Sequence, residues 1–247
     1  TDQLRRELVA NVSHDLRTPV TSLQGYLETL VLKEGALSPQ ERRRYLDIAV
    51  AQSQRLGELI GELFELTKLN SQEMRPRLEL FSLGELVQDV VQKFRVIVEA
   101  KQVTLQAKLG EDLPVVSADI GLIERVLENL IENALRYTPQ GGRIIVILSR
   151  VGETIMTRVT DTGCGIPPSD LPHIFDRYYQ VGKNHQRGDS GSGLGLAITK
   201  RILELHESAV EVQSVVNQGT TFSFHLAVAQ PGIIRVATSA TEYSPYR

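Results

Sequence analysis

Asn129 and Asn133 stand four residues apart in a stretch of helical apolar period, so they project from one helix face. A side-chain amide oxygen is a hard ligand suited to Mg²⁺, which takes few protein groups and completes its shell with phosphate oxygens and water. Asp161-Thr162-Gly163-Cys164-Gly165-Ile166-Pro167 follows a β-rich run. Its glycines permit a tight turn and close backbone approach to a ligand. A carboxylate at that strand end can accept a hydrogen bond from an exocyclic amine such as adenine's. Ser190-Gly191-Ser192-Gly193-Leu194-Gly195-Leu196 opens a helix, where glycine-rich backbone offers free N–H groups and a positive dipole end to phosphate. It lacks both the Rossmann spacing and the Gly-Lys-Ser/Thr ending of a P-loop. Between these two runs, Phe175 is the apolar base of a polar, glycine-bearing lid over 181–189, with Arg177, Lys183 and Arg187 as cations in reach of phosphate. Far upstream, His14 lies beside Asp15 on the water-facing side of a long helix whose apolar stripe runs through Leu4, Leu8, Val12, Leu16, Val20, Leu23, Leu27 and Leu30. Taken singly, each group has a plainer reading as a surface histidine, a solvated helix face or a glycine turn.

The elements that must position these groups fall into two patterns. From Asp2 to about Glu34 the period is helical, and Pro19 inside that span removes a backbone hydrogen bond and bends the axis just after His14. Ser38-Pro39-Gln40-Glu41 is a capping box that starts a second helix running to Leu69. Two amphipathic arms bury their apolar sides poorly, whereas two such hairpins make a four-helix bundle, which predicts a homodimer. The polar, proline-bearing stretch near residues 71–76 divides the chain. Residues 1–72 form the helical hairpin, 73–76 a linker and 77–228 a second domain, with 229–247 a tail of unassigned role. In the second domain the sequence predicts strands at 77–81, 103–108, 143–150, 154–160, 210–216 and 221–228, and helices at 83–100, 119–137 and 193–206. Tight turns join the later strands, which favours a mixed α/β sandwich with helices on one face over a doubly wound parallel sheet.

Composition narrows the classes. The 247 residues are 41% apolar, enough for real cores, and the net charge of −3 gives no pull toward nucleic acid or anionic membrane. A single cysteine, Cys164, excludes an internal disulfide and suits a reducing compartment. No apolar run reaches the roughly 18 residues of a membrane span. The first residue already lies inside a helical pattern, so further sequence is expected upstream.

Ser13-His14-Asp15-Leu16-Arg17-Thr18-Pro19 resembles the phosphoacceptor box of sensor histidine kinases, the dimeric ATP-dependent enzymes of two-component signalling. The four later stretches, in order, resemble the N, G1, F and G2 boxes of their catalytic domain, the GHKL (Bergerat) ATP-binding fold shared with gyrase, Hsp90 chaperones and MutL. The resemblance implies an α+β chain that is a protein-histidine kinase with ATP and Mg²⁺ as cofactors. In it His14 is the phosphoacceptor, Asp15 orients the imidazole and takes its proton, and Thr18 positions water for dephosphorylating the receiver. It further implies Asn129 and Asn133 at Mg²⁺ and phosphates, Arg136 and Arg177 at phosphates, Tyr137 against the nucleotide and Phe175 at the base of the lid. Asp161 is implied at the adenine amine, with Gly163 and Gly165 shaping its pocket. Gly191, Gly193, Leu194 and Gly195 fall at the phosphates, and Thr221 supports the adenine site. ATP-hydrolysing relatives place a glutamate base where this chain has Asn129, which fits an enzyme that hands phosphate to a side chain. The implied partners are a second copy and a response-regulator receiver domain, with no nucleic acid and no membrane contact in this fragment. The implied location is the cytoplasmic portion of a membrane-anchored sensor. The competing readings are a phosphorelay scaffold with a non-catalytic nucleotide pocket and an ATPase clamp.

Overall fold

The computed structural model describes residues 2–33, 35–71, 73–181 and 192–229, with the side chains of residues 2–15 outside that description. Two helices of equal length, α1 (Asp2–Leu32) and α2 (Pro39–Leu69), form the hairpin. Ser38 caps α2: its Oγ accepts from Glu41 N at 3.2 Å, and the Glu41 carboxylate accepts from Ser38 N at 2.9 Å, which satisfies two donors the helix leaves open. Pro19 lies within α1 without ending it and is buried. The rings of Tyr26 and Tyr45, 5.5 Å apart, fix the register of the two arms.

Beyond the hairpin come β1 (Glu79–Phe81), α3 (Leu83–Lys93), α4 (Arg95–Lys101), β2 (Thr104–Leu109), β3 (Val116–Ala118), α5 (Ile120–Tyr137), β4 (Arg143–Val151), β5 (Thr154–Asp161), α6 (Gly195–Leu205), β6 (Glu211–Val215) and β7 (Gly219–Ala227). Five strands make one sheet in the order β2-β4-β5-β7-β6, with β2 parallel to β4 and every other pair antiparallel. β1 and β3 form a separate antiparallel pair. Alternation aims one set of side chains at the helices. Ile144, Val146 and Leu148 of β4, Ile155 and Val159 of β5, and Phe222, Phe224 and Leu226 of β7 are all buried. Against them pack Ile123, Val126, Leu127, Leu130 and Ile131 of α5, and Ile198, Ile202 and Leu203 of α6. This is the mixed sandwich with helices on one face that the sequence predicts, and the chain as a whole has an α+β fold.

Two details depart from the sequence reading. The helix predicted over 83–100 is broken at Phe94, and the break leaves Val90, Phe94 and Val98 all buried in the core. Val116–Ala118, too short for its alternation to be legible, is a strand. One tie also crosses the whole unit. Asp119 caps α5 through Oδ1, accepts Arg77 N through Oδ2, and donates its own N–H to Nε2 of His206 at the end of α6.

Candidate functional site

A cavity of about 880 Å³, within the size range of small-molecule sites, opens between α5, the loop after β5, the start of α6 and one face of α2. Its polar floor follows from strand alternation. The face of β5 that buries Ile155, Thr157 and Val159 continues to the strand's last residue, so Asp161 is carried in with them at 5% exposure. Its Oδ1 accepts from Gly163 N at 2.7 Å and Thr220 N at 3.3 Å. Burial raises the Asp161 pKa above the ordinary carboxylate value, and those two hydrogen bonds only partly oppose the shift.

The glycines beside it are sterically required. A Cβ on Gly163 would stand 2.6 Å from Tyr137 O, and one on Gly165, at φ +68°, would stand 2.1 Å from Val215 O. Gly219, which the sequence motifs alone do not single out, belongs with them: at φ +114° its Cβ would meet Asp161 O at 2.0 Å. The Asn217-Gln218-Gly219 turn is the local trace of that close approach.

Asn129 is 5% exposed, and its Nδ2 donates to Gly195 O at 3.2 Å and to Thr199 Oγ1 at 3.4 Å. Asn133, Arg136 and Tyr137 follow along α5, and all four line the cavity with Asp161, Gly165, Gly193 and Gly195. Gly163 shapes that wall from behind, while Gly193, at φ +71°, sits against Tyr178, whose N–H donates to Gly193 O at 2.9 Å. Leu194 is buried at 1% exposure and anchors the start of α6, away from the cavity surface. Phe175 likewise faces the core, edge-on to Phe222 at 6.2 Å.

Three expectations shift. Thr221 is not in the cavity wall: it lies on the other side of β7, bonded to Thr160 Oγ1 at 3.0 Å, and its neighbour Thr220 lines the site. Consecutive strand residues point to opposite faces, so a one-residue difference changes the side of the sheet. Arg177 is exposed and does not line the cavity. The third shift is an addition. Glu58, Gly61, Glu62 and Glu65 of α2 form a wall that local sequence patterns do not reveal. The backbone of His14, Asp15 and Thr18 lies in α1, with Thr18 exposed. The side chains of His14 and Asp15 lie outside the described residues, as do Gly191, Lys183, Arg187 and most of the lid segment 181–189.

A buried carboxylate, an amide pair and a glycine-lined helix start around one cavity define a nucleotide-binding sandwich, here joined to a long helical hairpin. Residues 118–230 match the family model of the histidine kinase-, DNA gyrase B- and HSP90-like ATPases, and residues 4–72 match the His Kinase A (phospho-acceptor) domain. The chain belongs to the sensor histidine kinase family. It is 35% identical over 228 residues to the sensor histidine kinase WalK of Bacillus subtilis, covering 91% of this chain and 37% of WalK. The chain thus spans little more than a third of that relative's length. Among solved structures, full-length ShkA in complex with AMPPNP is similar at a TM-score of 0.67 and 25% identity, over 90% of this chain and 46% of that one. The histidine kinase ThkA in complex with the response regulator protein TrrA shares the fold at a TM-score of 0.74 and 23% identity, over 90% of this chain and 61% of that one. No helix among the described residues is long and apolar enough to cross a membrane.

Proposed function

We propose that this chain is the kinase portion of a two-component sensor, which transfers the γ-phosphoryl group of ATP to His14 and then to an aspartate of a response regulator. The observation that carries the reading is the convergence on one cavity of Asp161, Asn129 and the glycine-lined start of α6. Adenine's amine donates to the Asp161 carboxylate, Thr220 rather than Thr221 completes that end, and Tyr137 packs on the nucleotide. Arg136, Gly193 and Gly195 face the phosphates. Gly163 and Leu194 hold these groups in place from behind.

The donor set suits Mg²⁺. Asn129 spends its amide nitrogen on Gly195 and Thr199, which leaves Oδ1 as its ligating atom, and Asn133 stands one turn further on. Among the described residues no group of three acidic, histidine or cysteine side chains is placed to hold a metal, so the shell must be completed by phosphate oxygens and water. Bound there by Asn129 and Asn133, Mg²⁺ would offset charge on the triphosphate oxygens. A ring nitrogen of neutral His14 attacks the γ-phosphorus in line, the bond to the ADP oxygen breaks, and Asp15 takes the proton from the other ring nitrogen. The asparagine at position 129, where ATP-hydrolysing relatives carry a glutamate, leaves no base there to activate water.

The hairpin supports the dimer. Val20, Leu27, Val31 and Leu32 of α1 and Val50 and Phe64 of α2 are exposed in the single chain, the last at 72%, and a second hairpin covers such a stripe. WalK is more than twice as long as this chain, which accommodates a sensor region and a membrane anchor upstream with this part in the cytoplasm. Incubation with γ-labelled ATP and Mg²⁺ tests the kinase reading. An acid-labile, base-stable label that disappears in His14→Ala supports it; nucleotide binding without label in the wild type sinks it in favour of a scaffold.

A further inference from the structure

In the arrangement seen here, α2 is seated on the site. Glu65 Oε2 pairs with Arg125 Nε of α5 at 3.1 Å, Arg201 Nε of α6 donates to the carbonyl of Leu69 at 3.0 Å, and the carboxylate of Glu62 bonds the side chain of Ser192. Leu66 and Leu69 close the contact by burying themselves in the core of the sandwich. Ser192 lies between Gly191 and Gly193, and its Oγ also accepts Leu194 N at 3.0 Å at the start of α6. A carboxylate of α2 is therefore bonded within the loop that faces the phosphates of the nucleotide.

We propose that the acidic face of α2 is an internal competitor for the nucleotide: Glu62 stands where a phosphate oxygen would stand, and binding of the triphosphate and release of α2 are one coupled equilibrium. This deepens the reading above and rests on it, since it takes the cavity to be the ATP site. Charge supports it. The sandwich brings Lys101, Arg125 and Arg136 to the cavity against Glu132 and Asp161. The helix adds Glu58, Glu62 and Glu65 against Arg55 alone, and Glu65 engages Arg125 directly. A seated α2 thus turns a wall that attracts polyanions into one that repels them. Burial raises the Glu62 pKa, and its Oε2 has no hydrogen-bond partner among the described residues, so the seated state carries a tension that release removes.

The test uses the whole chain and the dissociation constant of trinitrophenyl-ATP with Mg²⁺, read by fluorescence. Glu65→Arg breaks the partly buried ion pair and should tighten binding about three- to five-fold. Glu65→Asp keeps the charge and can still pair with Arg125, so it should leave the constant close to the wild-type value. Unchanged binding in Glu65→Arg overturns the proposal, and so does a Glu65→Asp variant that binds as tightly as Glu65→Arg. If neither wild type nor variants bind the nucleotide, the nucleotide reading of the cavity has itself failed, an outcome distinct from binding that ignores α2.

Discussion

Asp161→Asn separates the binding role of the buried carboxyl from its structural one. An asparagine at this position is isosteric and keeps an oxygen to accept from Gly163 N and Thr220 N, the two bonds that shape the loop. The group then left at the second oxygen's place is an NH₂ donor facing adenine's donor amine. Losing a hydrogen bond to a charged acceptor costs about 1.5–3 kcal/mol, and an opposed buried donor costs about 1–3 more. The low end of that sum, about 3 kcal/mol, is already roughly a hundred-fold weaker binding. The apo protein should respond in the opposite sense. The folded pKa of Asp161 is raised by burial, so the stability linked to its protonation is complete below the ordinary aspartate value and is lost as pH rises through the folded value. At neutral pH the wild type carries that penalty and the asparagine variant does not. Calorimetric titration with ATP should therefore show about hundred-fold weaker binding, while thermal melts at pH 7 show an equal or higher Tm for Asp161→Asn. That Tm gap should close as pH falls below about 4. Nucleotide affinity within three-fold of wild type would refute the adenine assignment, and a lower Tm at pH 7 would refute the burial argument.

Further outcomes follow from the same geometry. Gly165→Ala puts a Cβ against Val215 O in left-handed backbone, and should cost at least about 2 kcal/mol in urea unfolding as well as weakening ATP binding. Ser38→Ala removes one half of the capping box and should lower stability by about 1 kcal/mol, with the nucleotide constant unchanged. Thr18→Ala, at an exposed position one turn beyond His14, should impair dephosphorylation of the phosphorylated regulator more than autophosphorylation; equal loss of both removes the split. Asn133→Ala should weaken binding of Mg²⁺-ATP more than that of metal-free ATP, and equal weakening would take Asn133 away from the metal.

What could be read before folding was whatever is local. The capping box at Ser38 and the period of α5 are short-range signals whose hydrogen bonds close within a few residues, and the Asp161 and Gly193 turns are marked locally by their glycines. The break at Phe94 was not legible, because it serves burial of Val90, Phe94 and Val98 against strands that follow later in the chain. β3 exists through its pairing with β1, where Phe81 faces Val116, and three residues show no period of their own. The Thr220 and Thr221 difference is a matter of register, set by Thr160 across the sheet rather than by the Gly-Thr-Thr-Phe run. The α2 wall was illegible for the same reason on a larger scale. Glu58, Glu62 and Glu65 read as the solvated face of a helix until another unit is set against them.

The Tyr26–Tyr45 ring contact has a consequence for the geometry of transfer. Counting equal numbers of residues back from Tyr26 and forward from Tyr45 brings the backbone of His14 level with Gly57, about 18 Å along each helix at about 1.5 Å per residue. The part of α2 that walls the cavity runs from Ala51 to Glu65, with Gly57 near its middle. On the proposed kinase reading, donor cavity and acceptor helix share a height on the hairpin, so transfer would call for a swing around its girth rather than a climb along its length.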